Sequence, residues 1–150
     1  MKLPPVTGLA RFCHGRVFVG SWDSRLYALD VKTGRELWHF QAGLDPKYHN
    51  QIGFQSSPAV VDGVVYVGCR DARLYALDAA SGKEKWRFDN SGSWVITSPA
   101  IANGNIIFAT SDTAKIHILD TSTGKLKRTL TANSYVFSSP TLSGSWATWA

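Results

Sequence analysis

A Ser-Pro pair recurs at Ser57-Pro58, Ser98-Pro99 and Ser139-Pro140, and its prolines stand 41 residues apart each time. A fixed period of this length is the signature of one supersecondary unit stacked in copies, and it constrains the fold more than any single motif does. Three segments align on it. The first runs from Gly15 through Arg25-Leu-Tyr-Ala-Leu-Asp30 to Trp38. The second runs from Gly63 through Arg73-Leu-Tyr-Ala-Leu-Asp78 to Trp86, and the third from Gly104 through Ile116-His-Ile-Leu-Asp120 to Arg128.

Each unit reads as four short strands. In the second unit these are Pro58–Val61, Val64–Gly68, Leu74–Asp78 and Glu84–Phe88. Asp62-Gly63 between apolar runs is a hairpin signal, and Ser81-Gly82 turns the chain again. Glu84, Trp86 and Phe88 share one face of the last strand, and Lys83, Lys85 and Arg87 share the other. Lysines of this kind blunt an open sheet edge. Four strands in about 41 residues match a β-propeller blade, and helical solenoids are excluded because no stretch keeps a 3.6-residue pattern. The predicted fold class is all-β, a propeller of four-stranded antiparallel blades. After a lead-in of residues 1–8, the blades span 9–55, 56–97 and 98–138, with a half-blade at 139–150. Leu9–Cys13 fills the first strand of blade one, and Thr141-Leu142 and Trp146–Trp149 form the half-blade. Propellers have about 4–8 blades. The expectation is therefore a partial propeller of about three and a half blades, a piece of a longer protein.

The most specific motif is Ala-Leu-Asp-x-x-Thr/Ser-Gly-Lys/Arg-Glu-x-Trp. It stands at Ala28–Trp38 and Ala76–Trp86, and a third copy at Ile118–Arg128 keeps Leu119-Asp120 and Thr123-Gly124-Lys125. This resembles the tryptophan-docking motif of the pyrroloquinoline-quinone (PQQ) repeat family, the quinoprotein-like β-propellers, over residues 9–150. The rival WD40 repeat places its Trp-Asp landmark elsewhere in the blade, so Trp22-Asp23 is coincidence. The chemistry of the motif stands beside the resemblance. Asp30, Asp78 and Asp120 end a strand where a carboxylate can accept turn N–H groups. Gly34, Gly82 and Gly124 suit a turn that needs positive φ. By resemblance, Trp38 and Trp86 stack on the neighbouring blade, and Arg128 offers a planar head in the same place.

Composition removes several classes. Eighteen aromatic residues in 150 exclude disorder, and no run approaches the length of a membrane helix. The net charge of +5 is scattered from Lys2 to Arg128 and lacks the one-sided footprint of nucleic-acid binding. Cys13 and Cys69 are isolated among apolar neighbours and read as buried free thiols. Met1–Gly8 has no apolar segment of the secretory kind. As it stands the chain reads as cytoplasmic, with the periplasm or cell envelope open for a full-length parent.

Candidate binding residues fall on one face, where the connections between second and third strands meet those between blades. Trp38 to Ser57 spans 19 residues and Trp86 to Ser98 spans 12, so the first inter-blade connection carries seven extra residues within Gln41–Gly53. Asp45, Lys47, Tyr48, His49 and Asn50 supply hydrogen-bonding groups there, with Trp22, Arg70 and Asp112 nearby in other loops. Arg70 and Asp71 read as an exposed ion pair, and Trp94 as core. No catalytic triad, phosphate loop or metal signature is legible, and His14, His39, His49 and His117 are dispersed. By resemblance, quinoprotein dehydrogenases bind PQQ and calcium with an adjacent Cys-Cys pair, an Asp base and a stacking Trp. This chain has no Cys-Cys pair and no Asp that matches the base, so no cofactor is expected. The expectation is a non-catalytic scaffold for protein or peptide partners, the rest of its own propeller among them, similar to outer-membrane assembly lipoprotein-type propellers. The alternatives are a fragment of a PQQ-dependent dehydrogenase and, from Trp22, Trp94 and Tyr48, a carbohydrate-binding propeller.

Overall fold

The computed structural model describes residues 6–50, 53–143 and 146–148. Residues 1–5 of the lead-in, Gln51 and Ile52 of the long connection, and Trp149 of the last strand lie outside the described residues. Three four-stranded antiparallel sheets follow one another along the chain. The first holds β1 (Val6–Cys13), β2 (Arg16–Ser21), β3 (Arg25–Asp30) and β4 (Glu36–Gln41). The second holds β5 (Ala59–Val61), β6 (Val64–Gly68), β7 (Arg73–Asp78) and β8 (Glu84–Asp89). The third holds β9 (Ala100–Ala102), β10 (Asn105–Ala109), β11 (Lys115–Asp120) and β12 (Leu126–Thr131), and β13 (Thr141–Ser143) pairs with β14 (Trp146–Thr148). Strands pair strictly in sequence order, the up-and-down arrangement of propeller blades. The chain thus forms three blades and two strands of a fourth. One boundary differs from expectation: β1 begins at Val6, inside the expected lead-in, because a register shift between Thr7 and Arg11 lets it pair on to Ser21.

The blades join through the faces of their sheets. Along β6, Val65 and Val67 pack with Phe18, Leu26 and Phe54 on the first-blade side. Tyr66 points the other way, into a cluster with Ile106, Phe108 and Leu119 of the third blade. Alternation of side chains makes this possible, and burial on both faces explains why β6 and β7 read as continuous apolar runs. The innermost layer repeats its hydrogen bonds at the sequence period. Ser57 N donates to Ser98 Oγ at 2.8 Å, and Ser98 N donates to Ser139 Oγ at 2.9 Å.

At the outer rim two tryptophans cross between blades. Trp38 Nε1 donates to Ala79 O at 3.2 Å, and Trp86 Nε1 donates to Thr121 O at 3.1 Å. The ring of Trp38 lies where a Cβ on Gly82 would stand, 2.6 Å from it, and Trp86 lies the same way over Gly124. Both glycines also have positive φ, 74° and 69°. Position and conformation therefore both demand glycine. Gly34, with φ 69°, has open space around it, so there the demand is conformational alone.

Candidate functional site

The loop face is built on the connection from β4 to β5. Asp45 organises it. Its Oδ1 accepts from Lys47 N at 2.8 Å and Tyr48 N at 2.9 Å, and its backbone exchanges bonds with His49 N and Asn50 O. This is Asx-turn chemistry, and it holds the tip Lys47-Tyr48-His49 outward. Further bonds pin the connection to two blades. Gly53 N donates to Ser24 Oγ and Phe54 N to Ser21 O in the first blade. Gly43 N donates to Asp71 Oδ2 at 2.9 Å, and Arg70 N donates to Gly53 O at 3.4 Å, in the second.

Asp71 is the brace of that second anchor. It is buried, accepts a short hydrogen bond from Tyr75 OH, and stands 3.5 Å from Arg73 Nη1. Burial, and then the Asp71 charge, push the Tyr75 phenol well above its usual range, so it stays a neutral donor at ordinary pH. Asp23, Arg25 and Tyr27 repeat the brace in the first blade, with Tyr27 OH 2.6 Å from Asp23 Oδ2. Cys69 beside it is buried, and burial with the Asp71 charge raises its thiol pKa, which makes it an inert thiol.

The structure brings four side chains together. The Arg70 guanidinium carbon lies 3.9 Å from the centroid of Trp94, whose ring is 5.9 Å from that of Tyr48. The Lys47 ammonium is 5.3 Å from the Tyr48 centroid and 5.9 Å from that of Trp94. Trp22, His49 and Lys47 are exposed on this side of the molecule, as is Asp112, which is bonded to Ser93 Oγ.

Several expectations need correction. Arg70 does not pair with Asp71, which is taken by Tyr75, Arg73 and Gly43; its carboxylate neighbour is Asp45, 3.8 Å away. Asp45 is no exposed ligand group, because capping its own loop buries it. Trp94 is half-buried on the loop face rather than core, since Val95 beside it takes the core position. Arg70 lies over one face of the Trp94 ring. Cys13 is only half-buried, with Sγ 2.9 Å from His14 Nδ1, because it sits at the turn out of β1. It lines a cavity of about 190 Å³ on the opposite face, between the first two blades, with Arg16, Val60 and Asp78. His39 and His117 are hydrogen-bonded within their sheets, to Glu36 and Thr129. No group of three or more metal-ligating side chains forms among the described residues. Sequence reasoning missed the Arg70–Trp94 pair, for which no local signal exists.

Comparison with known proteins bears on the repeat and the fold. The family model described as outer membrane protein assembly factor BamB matches residues 10–88 and again 70–146. Four-stranded blades on that repeat define the chain as a PQQ-like β-propeller. The chain belongs to this PQQ-repeat family. The structure of BamB from Moraxella catarrhalis superposes with a TM-score of 0.76 at 19% identity, over 94% of this chain and 42% of that one. The computationally designed Ika4 protein superposes with a TM-score of 0.77 at 19% identity, over 95% of this chain and 82% of that one. In sequence, 25 residues are 64% identical to the quinohemoprotein alcohol dehydrogenase of Comamonas testosteroni, 17% of this chain and 4% of that protein. The match thus spans a small part of the length of that relative.

Proposed function

We propose that this chain is a non-catalytic PQQ-like propeller module that docks protein or peptide partners on its loop face. The observation that supports this reading is the patch of Lys47, Tyr48, Arg70 and Trp94 presented on a hydrogen-bonded frame. Aromatic residues and arginine are the types enriched at the anchors of protein interfaces. A frame already ordered by buried bonds loses little further freedom on binding. In this reading the chain takes neither PQQ nor calcium, and Trp38 and Trp86 serve as docking elements between blades.

The identity to a quinohemoprotein alcohol dehydrogenase favours a second reading, a part of a PQQ-dependent dehydrogenase whose catalytic residues lie outside this chain. One titration separates the two. PQQ with calcium is added to the purified protein while absorbance and melting temperature are followed. The docking module predicts no change in either. Saturable PQQ binding with a rise in melting temperature, as mass action requires of a ligand held by the folded state, overturns it.

A further inference from the structure

The loop-face patch carries an unusual charge arrangement. The Asp45 side chain is fully buried, and its Oδ2 has no hydrogen-bond partner. Arg70 Nε, 3.8 Å from it, is buried and has none either. The two balance each other's charge without exchanging a hydrogen bond, and a buried donor left unmade in this way is costly. No ion pair among the described residues engages Lys47. The patch of Asp45, Lys47 and Arg70 therefore keeps one net positive charge, on a chain whose formal net charge is +5.

Stacking prepares these cations for an anion. With one face of its guanidinium against Trp94, Arg70 has already lost water there, and a planar fork suits a carboxylate. Lys47 lies 5.9 Å from the centroid of the same Trp94 ring, so both cations border one aromatic surface. A small anion would use that charge and leave the apolar surface bare. Tyr48 is 52% exposed, and Leu44 on the same connection is equally so. A peptide that carries an acid beside an apolar side chain uses both. Asp112, held by Ser93 next to Trp94, adds a negative charge on the third-blade side that repels an incoming carboxylate. The acidic residue therefore belongs on the Lys47 side.

We propose that Lys47, Tyr48, Arg70 and Trp94 receive an acidic peptide segment of a protein partner. A single Asp or Glu carboxylate accepts from Arg70 and Lys47, and an adjacent apolar side chain lies on Tyr48. The assignment rests on the docking reading above and names the chemistry of its partner.

The test uses fluorescently labelled synthetic peptides of one Ala/Leu frame that carry a single Glu, Gln or Lys residue beside a Leu, with binding to the full chain followed by anisotropy. The Glu peptide binds saturably and more weakly as salt rises, while the Gln and Lys peptides bind at least about tenfold more weakly. Lys47→Gln and Arg70→Gln each lower the affinity for the Glu peptide about tenfold and leave the Gln peptide unchanged. Lys47 is exposed, so its variant keeps the fold even if Arg70→Gln disturbs the loop, and melting curves check both. Equal binding of Glu and Gln peptides overturns the acidic preference and leaves the docking reading intact. Failure of all three peptides overturns the inference, and the PQQ titration on the same sample then decides the docking reading independently.

Discussion

Asp30, Asp78 and Asp120 perform the same task in three turns. Each carboxylate accepts the N–H groups two and three residues ahead: Lys32 and Thr33, Ala80 and Ser81, Ser122 and Thr123. A hydroxyl joins them from Thr33, Ser81 or Ser122. Bonds to the charged form hold all three below the usual carboxylate range. The leading contributions are the Thr33 N–H, the Ser81 hydroxyl and the Ser122 hydroxyl, and Lys127 at 2.9 Å adds to the effect on Asp120. Because the folded values are depressed, this stability is fully present above the unfolded pKa near 4 and is lost as pH falls through the folded values. The melting temperature of Asp120→Asn is therefore expected to fall less steeply than that of the parent from about pH 5 to pH 2. Thermal melts across that range check it, and identical slopes would show that the Asp120 carboxylate does not carry the acid dependence.

The connection from β4 to β5 shows how an irregular segment becomes part of a frame. It lies across the end of β2, where Gly20 meets Phe54 so closely that a Cβ on the glycine would stand 2.6 Å from the Phe54 Cβ. The next connection approaches Gly68 through Val95 in the same way. The third blade has Ala109 at the corresponding place, opposite Ile116 as Gly20 is opposite Leu26. Gly20→Ala is expected to cost about 1–3 kcal/mol by overpacking, and each kcal/mol lowers the melting temperature of a chain this size by roughly 2–4 °C. A melting temperature unchanged from the parent would show that the connection is free to shift. Phe54 belongs to the connection that carries Tyr48, and Val95 to the one that carries Trp94.

Across the whole molecule, the inner serines at the 41-residue spacing and the outer tryptophans are among the groups that bond one blade to the next. Trp38 joins the first blade to Ala79 and Gly82, and Trp86 joins the second to Thr121 and Gly124, with no residue in common. Trp38→Ala and Trp86→Ala are each expected to cost about 2–4 kcal/mol, lowered from the value for a fully buried ring because both are half-exposed. The double variant should lose their sum to within about 0.5 kcal/mol. Denaturant titration of the four proteins measures this, and a loss well beyond the sum would show that the two interfaces are coupled through the second blade.

The blade was legible from local patterns because its causes are local. Asp62-Gly63 makes a hairpin, alternation makes a two-faced strand, and Ala-Leu-Asp followed by Ser-Gly-Lys makes a capped turn, all within spans of a few residues. Repetition of those spans then defined the propeller. The candidate site was only partly legible. The extra residues near Asp45 marked the connection that carries Lys47 and Tyr48, but not that Asp45 would be consumed in capping it or that Arg70 would turn from Asp71 to Asp45 and Trp94. Tyr48, Arg70 and Trp94 lie on three different connections, and nothing in their local sequence codes for their meeting. Only the stacking of blades brings those connections together, because glycines at the strand ends let backbone pass against backbone, and that approach chooses the partners of each charge.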